Sequence, residues 1–199
     1  MHISEGILSP AVLACGIAAA GAGVAYGLKK MDYDRIPKVA VLSSCFFVAS
    51  LIHVPIGPSS VHLILNGLMG ILLGWAAFPA ILIALAIQAM LFQYGGLTTL
   101  GINTLNMAVP AVICYYLFSA LIRGKKTASS ILAGFACGFL SVALSAICVA
   151  LSLITTGAQF TGPARLIIIA HLPVMVIEGI ITSSSVLFLK KVKPEIMEV

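Results

Sequence analysis

The chain has 199 residues, of which 61% are hydrophobic and 9% are charged, and its formal net charge is +5 at pH 7. Soluble domains have about 45–50% apolar and about 25% charged residues, so this composition excludes an ordinary soluble enzyme, a disordered tail and a secreted disulfide scaffold. Three blocks, residues 6–28, 39–122 and 127–164, contain no Asp, Glu, Lys or Arg. Because charge-free apolar blocks of this length are typical of membrane spans, we predict one polytopic membrane domain over residues 1–199.

Turn signals divide the apolar blocks into seven predicted helices, some of them short for the roughly 17–25 residues that cross a bilayer. The long middle block is cut at the segment His53–Ser60, at the turn Trp75–Pro79 and at the segment Gln93–Asn103. In chain order the predicted helices span about Pro10–Leu28, Pro37–Ile52, Ser60–Gly74, Pro79–Phe92, Thr104–Ile122, Ser129–Ile154 and Leu166–Leu189.

The basic residues predict how the chain is oriented, because the cytoplasmic loops of membrane proteins are enriched in Lys and Arg. With the N-terminus outside and seven passages, ten of the eleven basic residues lie on the inner side and only Arg165 lies outside. We therefore predict an all-α, multi-pass protein of the plasma (cell inner) membrane with a cytoplasmic C-terminus. The positive net charge then reflects topology and does not indicate nucleic-acid binding.

The N-terminal residues do not resemble a cleaved leader, because no basic stretch precedes helix one and no small-residue cleavage site follows a short apolar core. We expect Met1 to be retained, since His2 is a large second residue, so that the mature chain begins with Met1 and His2. The five cysteines occur singly, without a C-x-x-C pair, and are interpreted as small packing residues.

The predicted topology brings all four histidines toward the outer side: His2, His53, His62 and His171. A lone interfacial histidine is usually just hydrogen-bonded, but four on one side with few other ionisable groups favour a metal site, because histidine is the commonest metal ligand. A chain that begins X-His offers an amine, an amide nitrogen and an imidazole in one plane. Another imidazole would complete a square of nitrogens, which suits Ni(II) and Cu(II).

Four segments resemble, in the same order, the CbiM/NikM family, the substrate-binding membrane subunits of energy-coupling factor (ECF) transporters for cobalt and nickel. These segments are Met1–Ser9, Val54–His62, Phe92–Asn106 and His171–Gly179. The resemblance covers essentially the whole chain and implies seven helices with the N-terminus outside. It also implies that residues 1–9 are a metal-binding segment, and that the ion is bound by the amine of Met1, the amide nitrogen and imidazole of His2, and the imidazole of His62.

The same resemblance implies a transport component and not an enzyme, with Co²⁺ or Ni²⁺ as the transported substrate and cobalamin biosynthesis as one use for cobalt. Its implied partners are an ECF transmembrane coupling subunit, ATP-binding subunits and, as an open addition, a small accessory membrane subunit. The chain itself has no complete phosphate-binding loop. Ala14, Ala18 and Ala22 form a small-residue face on helix one, which serves either the coupling subunit or packing within the chain.

Five further residues are candidates to orient the ligands: His53, Asn103, Asn106, His171 and Glu178. Glu178 is the one carboxylate deep in a predicted span, seven residues from His171 and on the same helix face. It either holds helices together, or it orients a metal ligand or lies on the path of metal release. The two asparagines either cap helix five or orient imidazoles.

Two other functions remain as alternatives at this stage. A self-sufficient divalent-metal carrier or channel is disfavoured by the single buried carboxylate and the lack of an obvious inverted repeat. An intramembrane metalloprotease is disfavoured because the chain has no H-E-x-x-H motif. The sequence does not discriminate cobalt from nickel, although a given nitrogen site binds Ni(II) more tightly than Co(II).

Overall fold

Helices dominate the computed structural model, which describes residues 2–51, 53–56 and 59–197. In the described part the α-helices are α1 (Pro10–Lys30), α2 (Ile36–Ala49), α3 (Asn66–Leu73), α4 (Ala77–Phe92), α5 (Leu100–Arg123), α6 (Thr127–Ile154), α7 (Thr161–Ala170) and α8 (Leu172–Val192). One antiparallel hairpin, formed by β1 (His53–Ile56) and β2 (Ser59–His62), lies between α2 and α3.

Five helical stretches of the described chain are long and apolar enough to cross a membrane. They are Pro10–Lys30, Asn66–Phe92, Leu100–Arg123, Thr127–Ile154 and Ala158–Val192. This finding agrees with a multi-pass, predominantly helical membrane protein. The predicted helices one, two, four and six are present, and none of their ends differs from the prediction by more than three residues.

The stretch Asn66–Phe92 is bent back on itself at Gly74, which has a φ of 55°. Asn66 at the start of α3 donates from Nδ2 to the carbonyl of Met107, and Trp75 just after α3 donates from Nε1 to Tyr116 Oη at 2.8 Å. Helix α3 therefore runs parallel to α5. Helix α4 begins beside Trp75 and ends where the short segment 93–99 leads into α5, so α4 runs opposite to both.

Helices α5, α6 and α8 alternate in direction. Ser152 Oγ donates to Asn106 Oδ1 at 3.3 Å, and Ser130 Oγ donates to the carbonyl of Leu121 at the other end, so α5 and α6 are antiparallel. Gly138 of α6 lies directly against the backbone of Glu178 in α8. A side chain at this glycine would collide with that backbone, so the glycine allows the two helices to approach closely.

The two ends of this bundle differ in charge. The ten basic residues predicted for the inner side lie in the connected segments 29–38, 123–126 and 190–193. Lys190 Nζ donates to the carbonyls of Ile122 and Gly124, and Lys38 Nζ donates to the carbonyl of Ile196, so these segments share one end. The N-terminal segment, the hairpin and the segment 93–99 gather at the opposite end.

Three predicted boundaries were wrong. The predicted helix Ser60–Gly74 begins only at Asn66, because Ser59–His62 forms a strand that pairs with His53–Ile56. Helix α5 starts at Leu100 and not at Thr104. The predicted helix Leu166–Leu189 starts at Thr161 and is divided in two at His171, where the ring of Pro173 obstructs the carbonyl four residues earlier.

Candidate metal site

The centre of the candidate site is a stacked pair of imidazoles. The rings of His2 and His62 have centroids 4.6 Å apart and an angle of 20° between their planes. His2 is 4% exposed and His62 is 2% exposed, so both lie inside the bundle end. The two histidines that the family resemblance implied as ligands are thus brought together, one from the N-terminal segment and one from the end of strand β2.

His62 is oriented by the residue that follows it. Its Nδ1 lies 2.7 Å from the carbonyl oxygen of Leu63, so the Nδ1–H donates there and Nε2 keeps its lone pair. Nε2 is buried and has no hydrogen-bond partner in the described part of the chain. A ring nitrogen fixed in this way by a backbone acceptor on the other nitrogen is the usual arrangement of a metal-binding histidine.

The surroundings keep His62 in its neutral form. Burial is the main cause that lowers the pKa of His62 well below its ordinary value, and the positive charge that His2 can carry lowers it further. Since only a neutral imidazole binds a metal ion, His62 is ready to act as a ligand at neutral pH without first losing a proton.

Asn103 holds the N-terminal segment directly behind His2. The backbone N–H of Ile3 donates to Asn103 Oδ1 at 2.9 Å, and Asn103 Nδ2 donates to the carbonyl of Ile3 at 3.1 Å and to Thr99 Oγ1 at 3.2 Å. Asn103 therefore neither caps helix α5 nor bonds an imidazole in the described contacts. It fixes the backbone of the residue next to His2, a role that the sequence alone does not reveal.

A second set of contacts closes the segment 93–99 over the N-terminus. The backbone N–H of Glu5 donates to the carbonyl of Gly95 at 3.1 Å. Thr98 donates to Glu5 Oε1 from its backbone N–H at 3.0 Å and from its hydroxyl at 3.1 Å. These hydrogen bonds lower the pKa of Glu5, with the backbone contribution largest. Glu5 is a further site-building residue that the sequence analysis did not single out.

The two glycines of this segment are required by the close approach of the N-terminus. Gly95 and Gly96 have φ values of +77° and +136°, which side chains rarely adopt. An added Cβ at Gly96 would collide with the side chain of Glu5, and one at Gly95 would lie 2.8 Å from Asn103 Nδ2. The Gly-Gly pair therefore allows both contacts that hold the N-terminal segment.

The remaining candidates lie around this centre in different ways. Asn106 accepts from Ser152 and is a contact between α5 and α6. His171 is fully buried at the junction of α7 and α8, and its Nδ1 lies 2.7 Å from the carbonyl oxygen of Ile167. Glu178 accepts from the backbone of Ile64 and Leu65.

Two predicted site residues are covered only partly or not at all. The backbone of His53 pairs with that of His62 across the hairpin, and the His53 side chain lies outside the described part of the structure. Met1, the predicted source of the amine ligand, lies outside the described residues.

The donor set of the described residues is small. Among the described residues, no group of three or more His, Cys, Asp or Glu side chains is arranged to hold a metal ion. Two imidazoles alone make a weak site, whereas two imidazoles with backbone nitrogens make a planar one. The described ligating groups of the candidate site are therefore the imidazoles of His2 and His62.

The small-residue face of helix α1, which the sequence offers as a possible contact for a partner subunit, is exposed. Ala14, Ala18 and Ala22 point away from the bundle, while Gly16 and Gly23 on the opposite face pack against Ile102 and Phe78. The opposite face, which includes these glycines and the buried Ala20, therefore packs within the chain, and the alanine face remains available.

The chain is similar to known metal transport proteins. Residues 2–196 match the family CbiM, described as a cobalt uptake substrate-specific transmembrane region. A Haemophilus influenzae protein, whose name gives metal transport as a provisional assignment, is 40% identical over 199 residues, which are 99% of this chain and 97% of its own. The fused nickel transport protein NikMN of Rhodobacter capsulatus is 42% identical over 115 residues, 55% of this chain and 33% of that protein. A crystal structure of a transition metal transporter matches with 30% identity and a TM-score of 0.74, over 96% of this chain and 93% of that one.

Proposed function

The chain belongs to the CbiM family of cobalt uptake proteins, and from that premise we propose that it captures Co²⁺ or Ni²⁺ at the outer face of the cell membrane. It is a multi-pass membrane component of metal transport and not an enzyme in this proposal. The bound ion is the transported substrate and is released inward when separate partner subunits hydrolyse ATP.

The observation that carries this proposal is the buried stack of His2 on His62, with Nε2 of His62 kept free of hydrogen bonds within the described chain. Burying Nε2 of His62 without a hydrogen-bond partner in the described chain is unfavourable unless something else satisfies it. A divalent cation between the N-terminus and the hairpin would do so.

In the proposed site four nitrogens surround the ion. They are the amine of Met1, the deprotonated amide nitrogen and the imidazole of His2, and Nε2 of His62. A planar four-nitrogen set suits Ni(II) better than Co(II) at equal supply. Asn103 and Glu5 support this geometry by holding the backbone on the far side of His2.

The topology in the proposal has seven passages, with the N-terminus outside and the C-terminus in the cytoplasm. Two observations support it. The chain reverses direction at Gly74, so we count helices α3 and α4 as two passages across the membrane. The ten basic residues lie at the end of the bundle opposite the histidines.

Energy coupling in the proposal comes from other chains, namely an ECF transmembrane coupling subunit and ATP-binding subunits, with a small accessory membrane subunit as a further partner. The exposed face of Ala14, Ala18 and Ala22 is the proposed contact for the coupling subunit, because small residues let membrane helices approach closely. The relative from Rhodobacter capsulatus, which is named as a fused transport protein, supports association with another transport module.

The test uses the position of the N-terminal amine. The purified chain is prepared with one Ala added before Met1, and a matched control carries one Ala after Val199. We expect the parent and the control to retain Ni²⁺ or Co²⁺ after growth with both metals, while the N-terminal extension abolishes high-affinity binding. Unchanged binding by the extended N-terminus would exclude the proposed donor set, and ATP-independent uptake by this chain alone would favour the carrier alternative.

A further inference from the structure

The buried carboxylate of Glu178 contacts the loop that carries His62. Glu178 lies in α8 and is fully buried. Its Oε1 accepts two backbone N–H groups from the segment between strand β2 and helix α3, that of Ile64 and that of Leu65, the latter at 2.8 Å. These donors are more than one hundred residues away along the chain, so the contact joins two separate parts of the molecule.

The loop needs such an acceptor because of its backbone shape. Leu65 has a φ of 52°, a left-handed conformation that a leucine rarely adopts, and helix α3 begins directly after it. The amides just before a helix have no intrahelical partners and point toward negative charge. A carboxylate from α8 is therefore well suited to hold this turn.

The same loop also orients the proposed ligand. His62 donates from Nδ1 to the carbonyl oxygen of Leu63, the residue immediately before the two amides that Glu178 holds. A short series of hydrogen bonds thus leads from α8 through residues 63–65 to the imidazole. If residues 64 and 65 were released, the acceptor that fixes the tautomer of His62 would move as well.

The described contacts of Glu178 distinguish between its two predicted roles. If the Glu178 side chain held α8 against helix α6, it would bond a side chain or backbone group of that helix. Instead both described hydrogen bonds of Glu178 go to the loop, and Oε2 has no hydrogen-bond partner within the described chain. The contact with α6 is made by the backbone of Glu178 against Gly138.

We propose that Glu178 is a positioning residue for metal capture, which fixes His62 by holding the backbone of Ile64 and Leu65. This inference deepens the proposed function and depends on it. Glu178 does not bind the ion. Its effect reaches the metal only through the orientation of one imidazole, so it acts on affinity and on the geometry of the bound ion.

Three variants of Glu178 separate position from charge. Glu178→Ala removes the acceptor, Glu178→Gln keeps a carbonyl oxygen at the same reach without the charge, and Glu178→Asp keeps the charge but retracts it by one methylene. Thr182→Val is the matched control, one turn further along α8, because its buried hydroxyl has no hydrogen-bond partner in the described residues.

The experiment measures Ni²⁺ affinity by competition with a coloured chelator, the visible absorption of bound Ni²⁺ and the melting temperature of the metal-free protein. We expect Glu178→Ala to lose about 10–100-fold in affinity, as for other residues that orient metal ligands. Its Ni²⁺ absorption should shift at saturation, while Thr182→Val matches the parent in both. Glu178→Gln should bind more tightly than Glu178→Asp, so the ordering remains informative if Glu178→Ala does not fold.

Two results would overturn the inference. One is parental affinity and absorption in Glu178→Ala. The other is an Asp variant that matches the parent while the Gln variant behaves like Ala, which would mean that charge and not position matters. If the parent itself binds neither Ni²⁺ nor Co²⁺, the proposed function fails first, and the two failures are distinguishable by that measurement.

Discussion

Asn103 and Ile3 lie one hundred residues apart and are joined by two hydrogen bonds. The backbone N–H of Ile3 donates to Asn103 Oδ1 at 2.9 Å, and Asn103 Nδ2 donates to the carbonyl of Ile3 at 3.1 Å. The amide side chain thus pairs with the backbone of the N-terminal segment as a neighbouring strand would. The chain beside His2 is thereby fixed before any ion arrives. Pre-organisation of this kind reduces the cost of ordering a flexible terminus on binding.

We expect Asn103→Leu to weaken Ni²⁺ binding by about 10–100-fold, because leucine has a similar volume but can neither donate to nor accept from Ile3. The control is Thr104→Val, since the described hydrogen bond of the buried Thr104 hydroxyl lies within α5, to the carbonyl of Leu100 at 2.8 Å. Affinity is measured by chelator competition. An Asn103→Leu protein that binds as tightly as Thr104→Val would show that this clamp is dispensable.

Gly96 lies so close to Glu5 that no side chain fits, and its φ of +136° is strained for any other residue. We expect Gly96→Ala to displace the segment 93–99 from the N-terminus at a cost on the order of 1–3 kcal/mol. Metal affinity should fall and cleavage by added protease in this segment should increase. Gly162→Ala is the control, because an added Cβ there meets no atom within 4 Å. Equal behaviour of the two alanine variants would contradict the predicted closure.

The sequence predicted which histidines lie together better than it predicted the architecture around them. His2 and His62 were identified from the Met-His start and from the family resemblance, and they do stack. Local patterns reveal residue types that bind metals and the distribution of basic residues. They do not reveal which backbone amide meets which side chain, so the contacts of Glu178 with Ile64 and Leu65 were outside their reach.

The helix boundaries were wrong for the same reason, because local patterns do not reveal which segments lie side by side. The local sequence of Ser59–His62 predicts the start of a helix. The segment instead forms a strand because a partner strand, His53–Ile56, lies beside it. The predicted helix Leu166–Leu189 has an apolar pattern that continues through His171, and only the chain geometry around Pro173 shows that the helix is divided there.

The pKa of His62 predicts how acid acts on the metal-free protein. Burial keeps the pKa well below the ordinary value, so the unfolded chain binds more protons at this residue than the folded one. Stability contributed by His62 is therefore present above the ordinary value of about 6.5 and is lost as the pH falls below it. We expect the apparent melting temperature in detergent to fall between pH 7.5 and 5. His62→Gln, which cannot take up a proton, should show a shallower fall. Parallel curves for parent and variant would mean that other groups control the acid response.

A substitution on the exposed alanine face of α1 should impair association with the proposed coupling subunit and leave metal binding intact. We expect Ala18→Leu to reduce co-purification with the coupling subunit, because a leucine keeps the partner helix from approaching closely. Metal binding by the isolated chain should stay unchanged, since Ala18 points away from the bundle. Ala19→Leu is the matched control: Ala19 is also exposed but lies about 100° further around the helix. Both proteins are co-expressed with the coupling and ATP-binding subunits, and the recovered subunits are quantified. If Ala18→Leu recovers as much coupling subunit as Ala19→Leu, the partner contact lies on another face of the chain.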